Sequence, residues 1–430
     1  MFRILLISTL FISTVISAQV NRCYTNKYIE FRNSLNPSFK SNVDEAYNFV
    51  LSNLNENTER DFETIRIPVV VHVLYKTENQ NLTDSLVKAQ IDILNQDYAR
   101  LNPDTNLTRE IFKPVASATG IEFYLAQFDP SGAPTNGIIK KQTDVTSFFS
   151  FTNLDVMKSE ANGGVDAWPT NQYLNIWVCN LSIPILNVPL ILGFATPPNS
   201  APNWPAGSGA TESQYDGVVI HYEVFGSNSN ATGTLESVNR GRTLVHEVGH
   251  YLGLRHIWGD AGQGEDGCLV DDGLNDTPIS AAANQQTCDY SMNSCNEGVD
   301  DFPDMIENYM DYSDENCLNM FSNQQADAMR FVVENFRSDL LLSAPNASMQ
   351  SSKISVYPNP ANNKITVQHG ISDLNGNVEI LDFCGKIVQS IKINKNDSAF
   401  DLIVSELASG SYFIRLNSKS GTHFGRFKKF

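Results

Sequence analysis

The spacing of apolar positions changes several times along the 430 residues, and each change marks an element. After Met1-Phe2-Arg3, an apolar run extends from Ile4 to Ile16, and Ser17-Ala18 offers small residues before Gln19. This is the pattern of a secretory signal peptide over residues 1–18, too short to span a bilayer. Residues 19–60 are polar, with weak periodicity, and are expected to form a pro-segment. Ile65 to Tyr75 is dense in β-branched residues and predicts a buried strand. Thr83 or Asp84 can cap a helix to about Arg100, with Leu86, Ala89, Ile93 and Leu94 along one face. Strands are predicted at Ile121–Ala126, Tyr173–Asn180, Ile191–Ala195 and Asp216–Tyr222, separated by Gly-, Ser- and Pro-rich loops. Val238–Leu252 predicts a second long helix. Ser322 with Gln325 forms a capping box ahead of Ala328, Met329, Val332, Val333 and Phe336, and that helix closes the region near Leu342. Strand, helix and strands in this order predict an α/β domain with a mixed sheet and crossover connections.

Residues 343–352 have linker composition. Beyond them the pattern becomes short strands and turns: Lys353–Tyr357, Lys364–Gln368, Asn377–Leu381, Lys386–Ile393, Ser411–Leu416 and Thr422–Phe427. This predicts a small all-β sandwich over 353–430.

The net charge of −18 argues against nucleic acid and against anionic membrane surfaces as partners, and fits an exported protein. No later apolar stretch reaches transmembrane length. Val20-Asn21-Arg22 precede Cys23, which is not the small, apolar setting of a lipidated cysteine.

Three of the seven histidines fall in His246-Glu247-Val248-Gly249-His250-Tyr251-Leu252-Gly253-Leu254-Arg255-His256. Residues four apart share a helix face, so His246 and His250 can aim at one point, with Glu247 one step round. Gly253 can take the left-handed conformation that ends a helix and lets His256 swing back. Three neutral imidazoles with an open fourth position describe a catalytic zinc site, and Glu247 is placed to act on water rather than to bind metal. The plain alternative is a set of ordinary helical histidines. His72, His221, His369 and His423 are scattered, and His72 reads as a strand histidine.

The long histidine motif resembles the metzincin zinc peptidases. Asn308-Tyr309-Met310-Asp311-Tyr312 supplies the methionine turn that such a protein needs, and the continuation to Cys317-Leu318-Asn319-Met320-Phe321-Ser322 narrows the resemblance to the shorter pappalysins. It covers roughly residues 65–340. It implies a metzincin catalytic domain over 61–342, divided near residue 252 into an upper and a lower subdomain. The helix at 83–100 becomes the backing helix, Met310 a packing base, and Tyr312 a ligand at rest or an oxyanion donor. Ile191-Leu192-Gly193-Phe194-Ala195 would supply the edge strand that pairs with substrate, with Leu192, Gly193, Phe194 and Ala195 as its binding residues; an internal core strand is the alternative.

The same resemblance implies latency. A thiolate is a strong zinc ligand, and Cys23, beside Arg22, is the cysteine to fill the fourth position, with Tyr24 where the family usually has glycine; an unpaired or mispaired cysteine is the alternative. Residues 258–278 are acidic and glycine-rich, which suits calcium or a solvated loop. The family's Asp-Thr-Pro, here Asp276-Thr277-Pro278, favours calcium at Asp271, Asp272, Asp276 and Thr277. Cys268, Cys288, Cys295 and Cys317 allow three pairings; the resemblance implies Cys268–Cys295 and Cys288–Cys317. Cys179 and Cys384 are expected as buried thiols.

Tyr357-Pro358-Asn359-Pro360, Leu407-Ala408-Ser409-Gly410-Ser411-Tyr412-Phe413 and the basic end Lys428-Lys429-Phe430 resemble the C-terminal sorting domain of type IX secretion, which makes that machinery a partner; a carbohydrate-binding module is the alternative. The expectation is thus a latent zinc endopeptidase acting on proteins or peptides, secreted through the periplasm. A binding protein on a peptidase scaffold is the alternative, as is a zinc enzyme acting on a non-peptide bond. In members that prefer arginine after the scissile bond, a carboxylate often lies beside the last cysteine; Asn316 stands there, with Asp314 and Glu315 next to it.

Overall fold

The computed structural model describes residues 20–54, 64–150, 152–183, 188–198, 213–227, 233–261, 265–298, 301–343, 354–369, 374–381, 387–393, 398–418 and 422–430. The expected signal peptide, and the expected linker from residue 344, lie outside them. The chain divides into two compact units, Met1–Ala344 and Pro345–Phe430.

The first unit opens with two helices that the sequence did not announce, α1 (Thr25–Leu35) and α2 (Phe39–Asn53). In α2, Phe39, Val43, Ala46, Tyr47 and Val50 fall at helical spacing and are buried. Strands β1 (Ile65–Tyr75), β2 (Ala116–Ser117), β3 (Ile121–Leu125), β4 (Ile138–Gln142), β5 (Leu174–Cys179), β6 (Ser182–Ile183), β7 (Val188–Pro189), β8 (Gly193–Ala195), β9 (Val218–His221) and β10 (Phe321–Ser322) follow. Helix α3 (Asp84–Tyr98) comes after β1, α4 (Arg242–Tyr251) after β9, and α5 (Asn323–Asn335) after β10.

The central sheet runs β3-β1-β5-β9-β8. One edge of β1 pairs in parallel with β3 over its first half and with β4 over its second, and its other edge with β5. Both faces of β1 are covered, which is why it reads as a nearly unbroken apolar run. Val69, Val71 and Val73 face a core shared with α3 and α4, whereas Leu74 joins Trp177 and Phe194 on the other side. β5 and β9 continue in parallel, and β8 ends the sheet antiparallel to β9.

Helix α3 starts where expected, with the Thr83 hydroxyl accepting from the Leu86 N–H. Its buried face is rotated from the predicted one. Val87, Ile91, Leu94 and Tyr98 are buried, whereas Leu86, Ala89 and Ile93 are only half-buried. Two polar side chains cause the shift: Gln90 donates to the Gly241 carbonyl and Asp97 pairs with Arg242, both facing α4. Helix α4 begins at Arg242, not at the expected Val238, because a separate 3-10 turn covers 233–238 and Gly241 sits at φ 78°.

In the second unit, β11 (Ser355–Tyr357), β12 (Lys364–Gln368) and β15 (Ala399–Ile403) form one antiparallel sheet. β14 (Ile387–Lys392), β13 (Leu374–Leu381), β16 (Gly410–Ser418) and β17 (Thr422–Lys429) form the other. Ile365, Val367, Val378, Ile380, Ile414, Leu416 and Phe427 fill the core, the arrangement of a small sandwich.

Candidate active site

All ten residues of α4 are buried, and the helix delivers His246 and His250 one turn apart. Gly253, at φ +90°, ends it and turns the chain so that His256 returns to the same point. The Nε2 atoms of His246, His250 and His256 lie 3.0–3.2 Å apart. Each ring is fixed from behind through Nδ1: His246 donates to the Tyr309 carbonyl at 2.7 Å, His250 to the Leu254 carbonyl at 2.8 Å, and His256 to the Asp260 carboxylate. Carbonyls only accept, so the proton of a neutral His246 or His250 must sit on Nδ1, leaving Nε2 as a bare lone pair. Burial holds His246 well below the ordinary histidine range and His250 at about 3. Close, unprotonated nitrogens repel one another unless a cation lies between them, so this donor set fits a divalent metal that prefers nitrogen ligands. Together with the Cys23 sulfur they lie within 4.8 Å of one another, the one such group among the described residues.

Met310 packs beneath this cluster. Gly249 leaves room for it: a Cβ there would sit 2.5 Å from the methionine sulfur. The turn is braced by Asn308, whose Oδ1 accepts from the Met310 N–H and whose amide exchanges hydrogen bonds with Gln325 at the start of α5. Tyr312 leans over His246 and His256, and Trp258 stacks on His256 with ring centres 4.2 Å apart. Sequence reasoning missed Asp260; its one signal is its place four residues after His256.

Glu247 is fully buried beside the histidines. Its Oε1 has no hydrogen-bond partner, and its Oε2 accepts from Thr25 Oγ1 at 3.0 Å. Burial pushes its carboxyl up to about 8. Gly193 of β8 lies against it, where a Cβ would meet the Glu247 side chain at 2.8 Å. β8 is an edge strand of the sheet, and residues 20–25 cover its outer edge. Asn21 N–H donates to the Leu190 carbonyl, Leu192 N–H to the Asn21 carbonyl, Tyr24 N–H to the Gly193 carbonyl, and Ala195 N–H to Thr25 Oγ1. Leu192, Gly193, Phe194 and Ala195 are therefore all buried.

Cys23 is thus carried onto the histidines, with its sulfur 3.5 Å from Glu247 Oε2. Burial, and then the Glu247 charge, push its thiol well up. Arg22 points past the methionine turn, where its guanidinium donates to the Ser313 carbonyl and meets Glu315 at 3.5 Å. Glu315, not Asn316, is the buried residue of this segment; Asn316 is exposed and donates to Asp314. The Tyr312 hydroxyl donates to the Cys23 carbonyl at 3.4 Å.

The acidic loop separates into parts. Asp272 Oδ1 accepts from the Leu274 N–H and the Thr277 hydroxyl, while Oδ2 is buried with no hydrogen-bond partner. Asp276 instead serves the N-terminus of α5, accepting from Ser322 Oγ and the Gln324 N–H. The disulfides are Cys268–Cys295 and Cys288–Cys317. Cys179 is a buried thiol, and Cys384 lies outside the described residues.

Two family models match the chain: pregnancy-associated plasma protein-A over residues 159–334, and a secretion system C-terminal sorting domain over 355–428. An extracellular metalloprotease of Arthroderma benhamiae is 30% identical over 287 residues, 66% of this chain and 77% of that protein. Mature mirolysin of Tannerella forsythia, solved with a cleaved peptide, is 37% identical with a TM-score of 0.57, covering 66% of this chain and 100% of that one. A promirolysin mutant from the same organism is 33% identical with a TM-score of 0.63, covering 75% and 99%. No helix among the described residues is long and apolar enough to cross a membrane. The chain belongs to the pappalysin family of metalloproteases and is an extracellular member that carries a type IX secretion sorting domain.

Proposed function

We propose that the protein is a zinc endopeptidase made as a latent zymogen. The observation that carries this reading is the convergence of three histidine Nε2 atoms beside a buried glutamate oxygen with no partner. His246, His250 and His256 would hold zinc, which when bound polarises the scissile carbonyl and makes water nucleophilic at neutral pH. Glu247 takes the proton of the attacking water and hands it to the leaving amine. Tyr312, freed from the Cys23 carbonyl, donates to the developing oxyanion. The substrate pairs with the edge of β8 that residues 20–25 cover in the zymogen. In the latent chain Cys23 would supply a fourth ligand, since its sulfur lies with the three imidazoles.

The seat of Arg22 supports a preference for a basic residue after the scissile bond. Glu315 also accepts from the Arg240 N–H and from Thr243 Oγ1, so its carboxylate stays aimed when Arg22 leaves. Mass spectrometry of a peptide library treated with the activated enzyme tests site and preference together. New N-termini should begin with Arg or Lys, a zinc chelator should stop cleavage, and one equivalent of zinc should restore it. Absence of cleavage by activated, zinc-loaded protein would overturn the reading.

Calcium is proposed as a second cation at Asp271, Asp272 and Thr277, with Asp276 bracing α5 beside them. Support comes from the unpartnered Asp272 Oδ2, since a buried carboxylate oxygen is costly unless paired. Calcium at about a hundred times its Kd should add about 2.7 kcal/mol to stability. A melting temperature indifferent to calcium and to its chelation would dismiss this site.

A further inference from the structure

Helix α1 is anchored to the catalytic unit at a place that the cysteine and the metal centre do not explain. Tyr28 and Arg32 are four residues apart, hence on one face of α1, and both are buried. Tyr28 donates its hydroxyl to Asp155 Oδ1 at 2.9 Å, and Arg32 donates to Asp155 Oδ2 at 2.9 Å. The Tyr28 ring lies 5.0 Å from the Phe194 ring, and the Arg32 guanidinium lies over Tyr215 at 4.9 Å.

The receiving side has contacts of its own, although Lys158 also donates to the Tyr28 hydroxyl at 3.3 Å and lies over the Tyr28 ring at 4.5 Å. Asp155 and Lys158 flank one 3-10 turn, Val156–Lys158. Lys158 Nζ bonds Asp155 Oδ1 at 3.1 Å and donates to the Tyr215 carbonyl at 2.7 Å. Asn153 holds the Asp155 N–H at 2.9 Å. The Asp155 carboxylate is therefore aimed by its own domain, with Lys158 on one oxygen and the other left for Arg32. With α1 gone, Oδ2 loses Arg32, and the Phe194 and Tyr215 faces lose the Tyr28 ring and the guanidinium.

We infer that, once the pro-segment has left, this socket is an accessory peptide-binding site that takes an aromatic residue and an arginine spaced four apart on a helix. The inference rests on the reading that residues 20–54 depart on activation. The ligand chemistry is that of α1: a phenolic donor and a planar cation for the two carboxylate oxygens, with rings on either side. The occupant is a substrate segment outside the bond that is cut. It would lower KM for protein substrates that carry such a segment.

The probe is a fluorescein-labelled peptide of residues 25–36, which lacks Arg22 and Cys23. It is added to enzyme activated from the full chain. It should bind saturably, and binding should fall about tenfold or more when Tyr28 or Arg32 of the peptide is alanine. Asp155→Asn in the protein should weaken it similarly. Because the peptide changes can be made without touching the protein, misfolding of the Asp155 variant would leave the test intact. A peptide substrate joined to the 25–36 sequence should show a lower KM, with kcat unchanged, than one joined to its Tyr28, Arg32 double-alanine form. Absence of binding, or binding equal for the alanine peptides, would overturn the site. Loss of residues 20–54 is verified by mass spectrometry before the peptide is added, so failure of the zinc peptidase reading shows itself separately, as a chain that is never cut and keeps α1 in the socket, whereas absence of binding to the shortened enzyme counts against the socket alone.

Discussion

Replacing Glu247 with alanine should reduce peptide hydrolysis by about a hundred- to ten-thousand-fold, the usual worth of a positioned acid–base group. The protein should still bind one zinc per chain. The two results belong together because the carboxylate and the imidazoles do different things. The three rings are held through Nδ1 by Tyr309, Leu254 and Asp260, and none of these contacts involves Glu247. The ligand set should therefore survive the change, while the proton acceptor is lost. Folding should survive as well, because Glu247 makes few contacts that help the chain. One oxygen is unpartnered, and its carboxyl is pushed up to about 8 by burial. Zinc content by mass spectrometry and turnover of a fluorogenic peptide are the two measurements. Turnover near that of the parent would remove Glu247 from the mechanism; loss of the metal would make it a structural residue.

The second large effect concerns Cys23. Cys23→Ala in the full chain should shorten the time course of self-cleavage about tenfold or more, since loss of only about 1.4 kcal/mol of latent-state stability already gives that factor. The remaining contacts of the pro-segment should keep the protein folded. Residues 21–25 still pair with β8, and Arg22 still sits on Ser313 and Glu315. What goes is the sulfur beside the three Nε2 atoms. The double variant Cys23→Ala, Glu247→Ala should remain uncleaved, which assigns the cut to the chain's own site. A time course unchanged by Cys23→Ala would reduce the cysteine to a bystander.

The site was legible where chemistry depends on spacing along one helix. His246, Glu247 and His250 need only the helical repeat, and Gly253 signals the turn that returns His256. What closes the site from elsewhere was not. Asp260 carries no motif, and Glu315 looks like one of several acids near Cys317 until burial singles it out. Helix α1 was invisible for a related reason: its buried positions are Thr25, Tyr28 and Arg32, so its contact face is not an apolar stripe. The rotation of α3 has the same cause, since Gln90 and Asp97 point inward to polar partners. Helix α2 does carry a stripe, Phe39, Val43, Ala46, Tyr47 and Val50, which the polar composition around it obscured. β4 was missed because Ile138-Ile139-Lys140-Lys141-Gln142 is apolar only at its start and joins a sheet edge.

The two disulfides bear on when the protein can work. Cys288–Cys317 ties the segment just after the methionine turn to the loop at 288, and Cys268–Cys295 ties that loop to the acidic stretch. Thiols of a newly made chain stay reduced in a cytosol and become oxidised after export. The ground beneath the histidines is therefore cross-linked late in the life of the molecule. A chain held back inside the producing cell would lack these braces even with every ligand in its sequence. On this reading competence would be acquired through biosynthetic timing, before any cut in the pro-segment, and the order of events would guard the producing cell alongside the latency proposed for Cys23.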